Sequence, residues 1–262
     1  PQGELHGIGF LSFTPQTGWD WNTQISIANG FLEYERLQIS KLNLTVQIND
    51  KSLYIQRGSW RLFNTTFTVN PGARILWDGF FIDDRIVIAF HRLHVTLDTF
   101  NILVEEIPEI LEVGQFLLPQ GYLNGKIILK GSLLKNLPVV QAKAYNLQLQ
   151  LEEIPIPVHV VSGDLLFENK FIYFQNVEAF TVHSHSPIVS SGYILPLEPG
   201  NGVAFDIDFH VMDVPLEKNT YYAFTNTKDP ISWLLDIQDI WDLLSPLPDG
   251  KIEAQGRIFR RP

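Results

Sequence analysis

Cysteine is absent from these 262 residues. No disulfide, thiolate metal site or cysteine nucleophile can therefore form. The absence suits a periplasm, where stray thiols are oxidised, and it suits a cytosol equally well. Positive charge is scarce too. Nineteen Lys and Arg stand against 29 Asp and Glu, for a net charge of −10, and the longest basic run is Arg260-Arg261. Nucleic acid rewards clustered cations through counterion release, so it is not an expected partner, and an anionic membrane surface is disfavoured on the same ground. No apolar run approaches the roughly 18 residues that span a bilayer as a helix. The opening "PQGEL" lacks the basic and apolar blocks of a secretion signal. Starting there, and stopping at "FRRP" inside a recurring motif, the chain reads as an excised piece of something longer.

Motifs for chemistry are equally thin. There is no G-x-S-x-G elbow and no P-loop, and "GIGFL" after Gly7 lacks the third glycine of a dinucleotide fingerprint. His183-x-His185 puts two imidazoles on one strand face at a spacing that suits zinc, but no third ligand accompanies them, and zinc sites need three or four. Asp206/Asp208 and Glu152/Glu153 are carboxylate pairs of the kind glycosidases use. Asp206 and Asp208, however, lie opposite an apolar strand face, where a solvated surface accounts for them. Trp19-Asp20-Trp21, among six Trp and 18 Phe, invites a carbohydrate platform, yet most aromatics alternate with polar residues as core residues do. The expectation is a protein that is not an enzyme and holds neither metal nor cofactor.

What the chain does have is alternation. Hydrophobic residues make up 45% and charged residues only 18%. Much of the apolar set must therefore be buried or must face a lipid-like ligand. In "KLNLTVQI" (41–48), Leu42, Leu44, Val46 and Ile48 share one side. "NLQLQL" does the same with Leu147, Leu149 and Leu151, "VAFDIDFHV" with Val203, Phe205, Ile207, Phe209 and Val211, and "LNGKIILKG" with Leu123, Ile127 and Leu129. This is the period of antiparallel strands with one wet face. Turn residues at Asn49-Asp50, Asn70-Pro71-Gly72, Asp83-Asp84, Glu168-Asn169 and 199–202 read as hairpin links. Two stretches, 101–117 and 229–244, switch to helical spacing, the second opening with Asp229-Pro230 as N-cap and N1.

The chain also repeats itself. "LPQGYLNGKIILKGSL" (118–133), "LPDGKIEAQGRIF" (247–259) and "GELHGIGFLSF" (3–13) are versions of one strand. Gly7 matches Gly125 at an offset of 118, Gly125 matches Gly250 at 125, and Gly79 matches Gly192 at 113. The expected organisation is a first β repeat over 1–117 that ends in an amphipathic helix, a second over 118–246 that ends in the 229–244 helix, and the opening strand of a third over 247–262. Glycine inside a strand marks a bend or a close backbone approach, so Gly125, Gly131, Gly192, Gly250 and Gly256 are expected where the sheet bends. Periodicity alone favours a closed sandwich core; the glycines favour a sheet that curls into a U or an incomplete barrel.

The stretches "LPQGYLNGKIILKGSLLKNLPVVQAKAYNLQLQL", "VSGDLLFENKFIYFQNVEAF" and "SSGYILPLEPGNGVAFDIDFHVMDVPLE" resemble the repeat of the TamB and AsmA-like envelope proteins. The likeness is good over 118–217, returns at 247–259 and is looser over 3–100. It implies a mostly β fold, an open taco of antiparallel strands with one short amphipathic helix per repeat, anchored to the inner membrane by a segment outside this stretch and crossing the periplasm or an equivalent intermembrane space. It further implies an apolar groove that shields phospholipid acyl chains, floored by Leu42, Leu44, Val46, Ile48, Leu123, Ile127, Leu129, Leu147, Leu149, Leu151, Val203, Phe205, Ile207 and Phe209. Trp60, Trp77 and Phe80 depart from that pattern, since side chains so large would fill space meant for lipid. A second expectation is an interaction module whose exposed sheet edges accept a strand, for instance from an outer-membrane barrel protein or an imported precursor.

Overall fold

The computed structural model describes residues 2–14, 18–34, 36–103, 113–114, 117–150, 157–181, 185–198, 202–215 and 251–261. Fourteen strands account for most of them: β1 (Gln2–Thr14), β2 (Gly18–Tyr34), β3 (Leu37–Asn49), β4 (Ser52–Leu62), β5 (Thr65–Val69), β6 (Ala73–Leu76), β7 (Phe81–Val95), β8 (Gln120–Ser132), β9 (Val139–Gln150), β10 (Pro157–Glu168), β11 (Phe171–Thr181), β12 (Pro187–Pro196), β13 (Val203–Pro215) and β14 (Lys251–Arg260). All belong to one sheet, in the order β1-β2-β3-β4-β5-β7-β8-β9-β10-β11-β12-β13-β14, with β6 between β4 and β7. Every described pairing register is antiparallel. Among the described residues β1 and β14 each have a neighbour on one side only, so the strand order does not close into a barrel. The mostly β, antiparallel, long-sheet expectation holds.

The chain divides into two compact units, one of residues 1–94, 124–142 and 167–169, the other of 95–123, 143–166 and 170–262. In the first, the hairpin from β3 to β4 turns on Asn49, whose Oδ1 accepts the Lys51 and Ser52 backbone N–H groups at 2.9 and 2.7 Å. This is the local turn that Asn favours. Two of the expected hairpin links do not reverse the chain. β5 pairs with the Gly58–Leu62 end of β4 and β6 with its Ser52–Ile55 end, so they lie end to end in a single lane, broken at Asn70-Pro71-Gly72. Asp83-Asp84 lies inside β7 at the same level, where Asp84 takes a φ of 69° as β7 changes partner from β6 to β5. A proline cannot donate to the ladder and an Asp tolerates the left-handed region, so the same residues that make hairpins here make a break and the kink facing it. Asn70 closes the gap by accepting the Val87 N–H at 2.6 Å.

In the second unit, the helix expected over 101–117 begins earlier, as α1 (Leu97–Leu103). Thr96 is its cap. Thr96 Oγ1 accepts the Thr99 N–H (3.2 Å), Thr99 Oγ1 accepts the Thr96 N–H (2.7 Å), and the Phe100 N–H reaches the Thr96 carbonyl (2.8 Å). This reciprocal arrangement satisfies two otherwise orphaned donors. Residues 104–112 lie outside the described set; 113–114 and 117 are again helical, and Val113 is fully buried against Ile194 and Val203. The helix expected over 229–244 lies outside the described residues. Among the described residues no helix is long and apolar enough to cross a membrane.

Candidate functional site: one apolar face of the sheet

Residues directly opposite each other in an antiparallel pair share a face, so the register shows which side chains line up across strands. In the first unit Leu5, Ile27, Leu44, Gly58, Val69 and Ile88 form one such row from β1 to β7. A second row is Ile25, Val46, Ile55 and Ala73, and a third is Thr23, Ile48, Leu53, Ile75 and Ile82. Only Thr23 carries a polar side chain. Val46, Ile55, Ala73, Ile82 and Ile86 are buried, and Leu44, Ile48 and Leu129 pack half-buried around them. Leu42 stands opposite Gly30. Beside these rows Trp60, Phe67 and Phe90 form an aromatic run with ring centroids 5.8 and 5.7 Å apart.

The second unit repeats the design. Ile172, Ile194 and Phe205 line up, as do Phe174, Gly192, Ile207 and Ile258, and then Val177, Ser190, Phe209 and Gly256. Leu147 is buried in a cluster with Ala144, Val160, Val177 and Ala179, and Leu123 and Leu149 pack half-buried against it. Val203 is buried beside Val113, with Phe205 half-buried on the pair. Ile207 and Phe209 are half-buried, as is Ile127 in the first unit. Leu151 lies outside the described residues.

The glycines sit where this face leaves no room. A Cβ on Gly125 would collide with the Gln141 carbonyl oxygen and come within 2.8 Å of Ala142 Cα; one on Gly192 would collide with the Asp206 carbonyl oxygen and come within 2.9 Å of Ile207 Cα. Gly256 lies under the Phe209 ring, and Gly131, near the end of β8, takes a φ of 70° beside Asn136. Gly250 lies outside the described residues. Of the large aromatics, Trp60 stands on the apolar face. Trp77 sits at the turn before β7, donating Nε1–H to the Asn49 carbonyl at 2.8 Å with Phe80 packed edge-on against it.

The opposite face carries the groups that suggested chemistry. Arg257 on β14 pairs through two nitrogens with both carboxylate oxygens of Asp206 on β13, and its Nε lies 4.0 Å from Asp208. The Arg257 hydrogen bond lowers the Asp206 pKa, and the same bond raises that of Arg257. A carboxylate held ionised by a bidentate guanidinium is a poor proton donor. His210 and Glu253 meet at 2.5 Å, and Lys251 and Asp213 at 3.3 Å, so β13 and β14 are laced by two ion pairs and a His–Glu hydrogen bond. Glu152, Glu153 and His183 lie outside the described residues; His185 packs its ring 5.6 Å from Phe180. Among the described residues no group of three His, Asp or Glu is placed to hold a metal. Trp21 stands opposite Leu11, on the apolar side of β1 and β2. No protein-family model matches the chain, and searches of curated proteins and of solved structures found no match either.

Sequence reasoning missed the aromatic cluster of the second unit's polar face, Phe171, Tyr173 and Tyr193, with centroids 5.4 to 6.2 Å apart. Their signal is present in "FIYF" and "GYI", where a tyrosine occupies a position that alternation assigns to water.

Proposed function

We propose that the apolar face is a conduit floor along which phospholipid acyl chains move, in a non-enzymatic lipid-transfer protein of a double-membrane envelope. The observation that carries this reading is a set of register-matched apolar rows on one face of a single sheet, many of whose side chains are only half-buried. A sandwich core would cover them with a second sheet, and all described strands lie in one. The resemblance of residues 118–217 to the TamB and AsmA-like repeat points the same way.

The energetics need no catalytic residue. Each methylene withdrawn from water gains about 0.8 kcal/mol, so a chain of roughly sixteen carbons gains about 12 kcal/mol in moving from water to an apolar floor. Leaving a bilayer costs about as much, so transfer between bilayer and floor is nearly balanced. Headgroups remain in water beyond the edge of the face. In this reading the protein works in the periplasm or intermembrane space, tethered to the inner membrane by a segment outside the stretch.

Native mass spectrometry with lipid extraction tests the proposal, comparing the wild type with a Leu149→Asp/Ile207→Asp variant whose fold is checked by circular dichroism. Phospholipid that copurifies with the wild type and is lost from the folded variant is the expected result. A wild type free of lipid even after incubation with phospholipid vesicles would sink the reading.

A further inference from the structure

The two later examples of the recurring strand show what belongs beside it. Over Gly125 of β8 lies the ring of Phe90 from β7, and over Gly256 of β14 lies the ring of Phe209 from β13; a Cβ on either glycine would approach Cζ of that ring to 2.9 Å. The covering strands match as well. "IAFHRLHV" (88–95) and "IDFHVMDV" (207–214) share Ile, Phe, His and Val at the same positions. The contact also fixes the phase of the repeat: "LNGKII" (123–128) aligns with "AQGRIF" (254–259), which makes Gly256, not Gly250, the counterpart of Gly125.

The same alignment brings "LHGIGF" (5–10) into place with Gly7 at the covered position. Gly7 has no ring above it. A Cβ there would meet only the Gln24 carbonyl oxygen, at 3.9 Å. β1 is an edge strand, and its side chains show what is missing: Leu5 is 71% exposed, Ile8 68%, Phe10 76% and Leu11 67%. The counterparts of Leu5, Phe10 and Leu11 in β8, which are Leu123, Ile128 and Leu129, are all half-buried. This thirteen-residue edge strand has no Lys, Arg or Pro, and its guards against strand addition, Glu4 and the bulge between Gln2 and Glu4, are confined to its first residues.

We infer that the free edge of β1 is a docking site for an antiparallel strand of Ile-x-Phe-His type, whose phenyl ring seats in the notch over Gly7. Such a strand is the chemistry of β7 and β13 supplied from another repeat unit. The β13–β14 pair gives its direction and register, and both pairs give its anchoring residue. The inference does not depend on what the apolar face carries.

The test is a fluorescence-anisotropy titration of the protein with a labelled synthetic peptide of residues 86–95. Gly7→Val fills the notch without crowding the backbone and leaves β14 untouched, so it separates this edge from the other. Saturable binding is expected, weakened roughly tenfold or more both by Gly7→Val and by replacing the peptide phenylalanine with alanine. Binding that ignores both changes, or no binding to a folded wild type, overturns the proposal. So does a wild type that self-associates through β1, seen by sedimentation as a dimer that Gly7→Val dissolves, because the occupant would then be a second copy.

Discussion

The two compact units treat their two faces differently. On the apolar side they are alike, with Ile, Leu and Val in register across neighbouring strands and glycine where backbones or rings press close. On the polar side they diverge. Among the described residues the first unit presents Thr, Ser, Gln and Arg there, while the second presents the Phe171, Tyr173 and Tyr193 rings and the Asp206–Arg257 and Asp213–Lys251 ion pairs. Water tolerates many side chains, while the apolar face must keep both its chemistry and its clearance. That difference is what a function residing on one face would leave behind.

The sharpest way to probe this contrast is to crowd the constrained face. Gly125→Val forces a side chain into the Gln141 backbone and is expected to cost about 4 kcal/mol or more, whereas Gly7→Val, at a position with open space, is expected to cost under about 0.5 kcal/mol. Urea unfolding of the two variants measures the gap, and equal losses would dissolve it. Next comes the ring that covers each glycine. Phe90 is buried and Phe209 only half-buried, so Phe90→Ala is expected to lose about 3–5 kcal/mol and Phe209→Ala about half as much. Thermal melts that reverse this order would mean that the second unit, not the first, holds the tighter core.

The smallest effect belongs to the polar face. Arg257 lowers the folded-state pKa of Asp206 below its unfolded value. The stabilisation is therefore fully present above about pH 4 and is lost as pH falls through the folded value. Asp206→Asn should flatten that acid limb slightly, by an amount that shrinks with added salt, because the pair is solvent-exposed. A large shift at neutral pH and high salt would show that the polar face bears more of the fold than the comparison allows.

Much of the architecture is legible in two-residue alternation, which places Leu44, Val46 and Ile48 on one side of β3, and Phe205, Ile207 and Phe209 on one side of β13, before any pairing is known. Turn residues are less decisive. Asn49 reverses the chain, while Asn70-Pro71-Gly72 interrupts a lane and Asp84 kinks a strand, because the path taken after a turn depends on which neighbour the next strand meets. The start of α1 is written in "TLDT", a reciprocal cap that apolar spacing from Asn101 onward overlooks. Repeat phase is the hardest feature to read, since glycines recur at several spacings and only the phenyl ring over Gly125 and Gly256 identifies the equivalent pair.

Strand order along this sheet matches chain order almost without exception. Most strands therefore find a partner in the strand made just before them, and loop-closure entropy stays small at most steps; β8 and β14, separated from β7 and β13 by residues 96–119 and 216–250, close longer loops. The sheet can assemble by zipping from one end, hairpin upon hairpin, as a chain emerges from a ribosome or a translocation pore. The lane shared by β5 and β6 is a place where this process must pause, because β7 cannot dock along its full length until both short strands are laid against β4.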